Sequence, residues 1–426
     1  MNAPIPARPT ASGLPALAPV RHIHRPLTVA EYYHAAIGRH PQSHIRSHEV
    51  VIVLEGTGTP DPKNFQSALN QAAEANPGAR LRLTGQRQRA RWISDAPPPS
   101  LRWIDDCRWD GRSSEGLAAV LDTELSLEGG HTTEVILART VGQADHGKII
   151  FRTSHAVMDG MGLLHFIQET FRALRGEPLL GSNATFTDTD LMQHGPKRQA
   201  LTREILQITH MMGPPRGDER GGVWRRITIP GPQPNLPARL VGLMAEYCRR
   251  HGDTEKSVRI GMPANLRRHI PDLLTTTNFA GMSYVDLLPA ASLELEDIKQ
   301  QLRKLREGHA EMSYRKIFEI MRWLPFAWVD GMLSVNEKNY KNPNLHETAI
   351  LTILGIFKQT PFSGGGFSAE TLYAIPQLEN VFIAVSGFQG NFELTLGMPK
   401  VFASEGRMED LLDFLRGRLT PQAPGK

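Results

Sequence analysis

Two α/β layered domains of comparable size are what this sequence predicts, and three observations carry the prediction. The chain has 426 residues, well beyond the roughly 100–200 residues of one ordinary domain. Apolar strand-like runs and amphipathic helix-like runs are mixed in both halves, the combination that builds layers of sheet and helix. A polar stretch carrying "GPPRGDERGG", residues 181–220, separates those halves. The organisation is therefore a Pro-rich flexible tail (1–20), a first domain (21–180), a crossover linker (181–220) and a second domain (221–426).

Bulk composition narrows the class of function. A hydrophobic share of 40% and a charged share of 22% are ordinary for a globular chain, so a large core is within reach. The 48 basic residues exceed the 44 acidic ones by only four. They are scattered, which argues against a nucleic-acid partner while leaving room for a local phosphate pocket. Two cysteines, Cys107 and Cys248, give neither a disulfide framework nor a CxxC metal site. No apolar run approaches the ~18 residues a membrane span needs. The opening "MNAPIPARPTASGLPALAPV" lacks the apolar core of a signal peptide. A soluble, cytoplasmic protein is expected.

Order begins at "RPLTVAEYY", where Thr28 followed by Glu31 is a capping box that opens a helix. "EVVIVLEGTG" is an apolar strand ending in turn glycines. "PKNFQSALNQAAEANPG" then reads as a helix with Phe65, Leu69 and Ala72 on one face. "EVILARTV" and "GKIIFRTS" form two strands joined by the hairpin turn "GQADHG". Met161, Leu164, Ile167, Phe171 and Leu174 recur at steps of three and four, one stripe of an amphipathic helix that Gly176 and Pro178 end. In the second half "VWRRITIPG" and "SVRIGMP" are strands around the helix "PARLVGLMAEYCRRHG". "LELEDIKQQLRKLREGHAEM" is a charged helix, and "NVFIAVSG" and "NFELTLGM" form a hairpin about "FQG".

Between the last strand of the first hairpin and the Met161 helix lies "HAVMDG". A histidine at a strand end can be held rigidly with one ring nitrogen exposed, and its near-neutral pKa suits proton abstraction from a hydroxyl, amine or thiol. His155 is therefore the candidate base. Asp159 sits across a tight turn from it and is expected to turn inward onto an arginine, fixing the loop. Gly160 permits a backbone conformation or close approach that a side chain would forbid, and the helix amides beside it favour the carboxylate. The triplet HxxxDG recurs by chance in many chains, so its context carries the weight.

That context resembles the CoA-dependent acyltransferase superfamily, which includes chloramphenicol acetyltransferase, BAHD-type and alcohol acyltransferases, wax ester synthases and nonribosomal-peptide condensation domains. "PLTVAEYY" is similar to the family's opening segment. "FQSALNQAAEANPGARLRL" resembles its helix and following strand, with Arg80 at the arginine position. "VRIGMPANLRR" and "TTTNFAGMSYVDLLP" resemble two segments of its second half. With the strand, HxxxDG and helix, five segments stand in family order over most of the chain.

The resemblance implies a fold of two chloramphenicol-acetyltransferase-like domains with a tunnel between them. It implies an acyltransferase in which His155 deprotonates an alcohol or amine acceptor. The acceptor attacks an acyl thioester on CoA or on a carrier protein's phosphopantetheine, and no acyl-enzyme forms. It makes Asp159 structural, with Arg80 the first candidate partner and Arg82 the second. Ser154 replaces the first histidine of the HHxxxDG form that many condensation and wax-synthase members carry, which moves weight away from a standard condensation domain. Thr352, in "AILTILGIF", is a candidate oxyanion donor, with strand packing as its plainer role. Asn278 is a candidate for orienting substrate, with a cap or turn as its plainer role. No metal and no bound organic cofactor are implied, and a monomer is expected. The alternatives are a free-standing condensation enzyme working on carrier-bound intermediates and a non-catalytic homologue that recruits a carrier.

Other signals are weaker. His22, His24, His34, His40, His44 and His48 match no metal-site spacing and read as solvated or capping residues. Trp323, Pro325, Phe326 and Trp328 read as core packing or as a pocket lining. Arg267 and Arg268 read as surface charge or as contacts to pantetheine phosphate or a carrier. "FSGGGFS" reads as a flexible loop near the tunnel.

Overall fold

The computed structural model describes residues 13–40, 48–142, 145–197, 207–314, 316–338 and 346–420. Among the described residues the strands form three sheets. In the first half, Glu49–Thr57, His146–Ser154, Thr133–Thr140 and Ser100–Cys107 lie side by side in that order. The first three run antiparallel, and the last pair is parallel. The helices Pro62–Ala75 and Gly160–Leu174 cover one face, with Phe65, Leu69, Leu164, Ile167 and Phe171 packed against Ile52, Leu54 and Phe151. The expected stripe is thus the buried one, and its period follows from 3.6 residues per turn. Thr28 and Glu31 cap each other at the start of the helix Val29–Ala36, as a capping box requires.

The second half is a six-stranded sheet in the order Ala280–Leu287, Val258–Asn265, Ala349–Phe357, Phe382–Phe388, Asn391–Pro399, Gly222–Pro230. Helices Leu236–His251 and Arg407–Leu419 bury Val241, Met244, Leu411 and Leu415 against it. A small sheet of His24–Pro26, Arg91–Ile93 and Arg82–Thr84 completes the set. Cys107 and Cys248 are buried and unpaired.

One strand crosses over. Ser368–Ile375 belongs to the second half of the chain yet pairs with Glu49–Thr57 as the edge of the first sheet, from Ser368↔Thr57 to Ile375↔Val51. The glycine-rich loop just before it packs on the end of the Gly160–Leu174 helix. Arg175 donates to the carbonyls of Thr360 and Ser363 at 3.0 and 2.7 Å, and Gly364, Gly365 and Gly366 all have positive φ. The loop is therefore anchored, against the sequence expectation. Two interleaved α/β halves result, and the HxxxDG loop lies where they meet. No described helix is long and apolar enough to cross a membrane.

Candidate active site

His155 follows the last residue of the strand His146–Ser154, and its backbone N–H donates to the His48 carbonyl at 2.8 Å, continuing the ladder beyond Glu49↔Ser154. The chain then turns: Val157 and Met158 donate to the Ser154 carbonyl at 2.9 and 3.2 Å. The Ser154 hydroxyl is buried and accepts from the Ala156 N–H at 3.3 Å, so it braces the turn. Asp159 is the N-cap of the following helix. One carboxylate oxygen accepts from Gly162 N–H at 2.7 Å, satisfying an otherwise orphaned helix amide.

The other Asp159 oxygen reaches the second half of the chain. It accepts from the Phe279 N–H at 2.6 Å and from the Arg267 guanidinium at 3.0 Å. Arg267 is therefore the partner, and the expectation of Arg80 or Arg82 is corrected. Arg80 donates to the Ala96 carbonyl at 2.8 Å, and Arg82 pairs with Asp95 at 2.6 Å. Arg80, at the end of the turn Pro77–Arg80, and Arg82, on the small sheet, are thus both engaged away from the loop. Arg267 also donates to the Thr275 and Thr277 carbonyls, and Arg268 pairs with Glu311. Neither arginine is the free surface cation that the sequence suggested.

Asn278 is buried, and its side-chain amide donates to the carbonyls of His155 and Ala156 at 2.9 and 3.1 Å. It holds the backbone of the loop, the turn-bracing role that the sequence offered beside substrate orientation. The expectation for Gly160 shifts by two residues. Gly160 has no left-handed φ, and a Cβ there would meet only Leu354, at 3.4 Å. Gly162 is the close approach: a Cβ would lie 2.1 Å from the Thr276 carbonyl oxygen. Thr352 lies on the strand Ala349–Phe357, on the face opposite Leu351 and Ile353, which pack into the second core. A bulge between Ile353 and Gly355 brings Leu354 from this strand towards Gly160.

His155 itself is half-buried, with a buried Nδ1 that has no hydrogen-bond partner among the described residues. Burial lowers its pKa below the ordinary histidine value, and the nearby His48 adds to the effect. Its ring stacks on that of His34 at 3.9 Å between centroids and 5° between planes. His34 Nδ1 lies 3.2 Å from His48 Nδ1, and His48 Nε2 lies 3.1 Å from Glu379. These two histidines read from sequence as solvated or capping residues, and the fold instead packs them against the His155 ring and Glu379. The signal for His48 was its place just before a strand, but only the strand register puts it opposite His155. His22 bonds the Ser94 hydroxyl instead, at 3.0 Å, and His44 lies outside the described residues.

Other features stand apart from this loop. A cavity of about 660 Å³ is lined by His22, Arg25, Asp190, Thr277, Glu319 and Arg322 among others, but not by His155. His269, His309 and Glu311 have possible ligand atoms within 4.8 Å of one another. Arg268 and His269 already sit on Glu311 and, against the cost of its burial, hold its pKa down at about 2. The cluster is neutralised without an ion. Phe326 is buried and stacks on Tyr32 at 4.4 Å, while Trp323 and Trp328 are exposed.

No family model matches this chain, and no curated protein matches it. Solved structures do. The chain is similar to the condensation domain of the monacolin K polyketide synthase MokA, with a TM-score of 0.66 and 13% identity over 93% of this chain and 96% of that one. It is similar to a mutant starter condensation domain of rhizomide synthetase RzmA in complex with C8-CoA and Leu-SNAC, with a TM-score of 0.61 and 16% identity over 93% and 94%. It is also similar to the epimerization domain from the third module of tyrocidine synthetase B, at 0.56 and 15% over 94% and 96%. The chain therefore has the condensation-domain fold, with two chloramphenicol-acetyltransferase-like lobes, and its resemblance to the CoA-dependent acyltransferase superfamily extends to the fold.

Proposed function

We propose that the protein transfers an acyl group from a thioester to an amine or alcohol, with His155 as the general base. The observation that supports this reading is the bracing of the His155 loop from both halves of the chain, by Asn278 on its carbonyl and by Arg267 and Phe279 on Asp159. A base must hold its ring still while a proton moves, and this one is held by the backbone on both sides. His155 takes the proton of the acceptor's N–H or O–H as the nitrogen or oxygen attacks the thioester carbonyl carbon. The tetrahedral intermediate then collapses, the C–S bond breaks, and the imidazolium returns its proton to the departing thiolate. No bond to the protein forms. Thr352 is the candidate donor to the oxyanion.

The donor is an acyl-CoA or a carrier-bound phosphopantetheinyl thioester. No metal or resident organic cofactor takes part in these steps. The RzmA complex with C8-CoA and Leu-SNAC favours an acyl thioester as donor and an amino-acyl group as acceptor, hence amide formation by a condensation-type enzyme.

The test is thiol release from a panel of acyl-CoAs and from acyl-carrier protein, with and without amines, in wild type and His155→Ala. Loss of the base lowers release by about 10²- to 10⁴-fold. Because burial depresses the His155 pKa, the base stays neutral below the ordinary histidine range, and release persists to pH values under 6.5 before it falls. Release from every donor that ignores His155→Ala sinks the proposal.

A further inference from the structure

The sequence sets His34 and His48 aside, but the fold carries both of them to the base. Three elements converge there. His34 stands in the last turn of the helix Val29–Ala36. His48 immediately precedes the strand Glu49–Thr57, and its carbonyl accepts from His155 N–H. Glu379 lies in the connection between the crossing strand Ser368–Ile375 and the strand Phe382–Phe388. The contacts run in one line: Glu379 to His48 at 3.1 Å, His48 to His34 at 3.2 Å, and His34 flat against His155 at 3.9 Å.

We propose that His34 is a positioning residue for His155, an aromatic face held in place by His48 and Glu379 against which the imidazolium of the base forms. The inference rests on the reading of His155 as the base.

The chemistry of the line supports it. The Glu379 carboxylate can only accept, so His48 Nε2 carries a proton toward it. Between the two Nδ1 atoms one nitrogen must donate and the other accept. One shared proton fixes both rings: on His34 it leaves His48 neutral, and on His48 it makes that ring the cation paired with Glu379, with His34 accepting through Nδ1. Burial, with His155 and His48 beside it, holds the His34 pKa well below the histidine norm, so the ring stays neutral in the working range. A neutral aromatic face attracts a cation placed over it, most strongly where water is excluded. When His155 takes its proton, the stacked His34 ring meets the new charge with its negative face. The other charged or titratable groups that act on His155 are His48, on the strand side, and Asp159 at the helix cap with its partner Arg267. The carboxylate favours the imidazolium and His48 opposes it. His34 also keeps the base from rotating, since a ring at 5° to its neighbour has one preferred plane.

The experiment compares His34→Leu and His34→Phe with wild type. Leucine keeps the bulk and removes the aromatic face, whereas phenylalanine keeps the face and removes the nitrogens. The first readout is the NMR titration of the His155 imidazole in the folded protein, which requires no substrate. Losing the face disfavours the charged form, so the His155 midpoint in His34→Leu falls by about 0.5–1 pH unit. In His34→Phe it stays at the wild-type value. The second readout is thiol release: kcat drops by roughly 10- to 100-fold in the leucine variant with KM unchanged, and the phenylalanine variant recovers most of it.

A leucine variant with the wild-type midpoint and kcat overturns the proposal. So does a phenylalanine variant that loses as much as leucine, because the nitrogens would then be what matters. If the leucine variant does not fold, the phenylalanine titration decides alone: a midpoint kept supports the face, and a midpoint lost rejects it. Thiol release that is indifferent to His155→Ala rejects the acyl-transfer reading instead, while the titrations still report on the stack.

Discussion

Asp159 spends both carboxylate oxygens on holding the loop. One caps the helix through Gly162, and the other takes Phe279 N–H and Arg267. Side-chain exposures of 6% for Asp159 and 10% for Arg267 place the pair largely out of water, where losing one partner strands the other charge. Asp159→Ala and Arg267→Ala are each expected to cost on the order of 3 kcal/mol in urea unfolding. The double variant is expected to cost less than the sum by about 0.5–3 kcal/mol. Additive losses would mean that the two side chains act separately and that the ion pair does not join the halves. The same residues show why Arg267 was hard to read from sequence. It lies 108 positions from Asp159, whereas Arg80 stood at the position the family resemblance favoured. Local spacing carries no information on which arginine crosses the gap.

At the scale of an element, the helix Gly160–Leu174 starts with two glycines that differ in what surrounds them. Gly160→Ala places a methyl group in ordinary contact with Leu354, in a backbone conformation that alanine adopts freely. It is expected to leave the melting temperature unchanged or slightly raised, since alanine loses less chain entropy than glycine. Gly162→Ala would drive a methyl group to 2.1 Å from the Thr276 carbonyl oxygen, so the helix and the Thr275–Asn278 segment must separate. A loss of about 1–3 kcal/mol, with a matching fall in thiol release, is the expected outcome; equal melting temperatures for the two variants would refute the account. The helix itself was legible because its stripe and its Asp159 cap are written in adjacent residues, and so was the Thr28–Glu31 box. The paired strands were legible from apolar runs and turn residues. What the sequence could not show was depth. Glycine, histidine and asparagine look alike in solvated and braced settings, and only the packing of the second half on the loop distinguishes Gly162, His48 and Asn278.

At the scale of the whole molecule, the crossing strand makes the two halves depend on each other. Ser368–Ile375 covers the edge of Glu49–Thr57, and its Tyr373 hydroxyl donates to Glu55 at 3.0 Å. Arg226, from the second sheet, donates to Glu55 at 2.9 Å, lies 3.6 Å from Glu393, and places its guanidinium 4.0 Å from the Tyr373 ring centroid. Trp224 packs beside it in a core that also holds Val51, Val53 and Ile150 of the first sheet. A first sheet without this strand would expose an unpaired edge, and Arg226 sits at the seam as the cation between two carboxylates. The halves are therefore expected to unfold in urea as one unit, with coincident transitions by tryptophan fluorescence and by far-ultraviolet circular dichroism. Arg226→Ala leaves Glu55 and Glu393 facing each other with no cation between them. It should lower the stability by about 3 kcal/mol and move both transitions by the same amount. Two separated transitions, or an Arg226→Ala shift seen by one probe only, would show that the halves are independent. The bracing of His155 by Asn278, Arg267 and Phe279 would then be lost whenever the second half unfolds, while the first half stays folded.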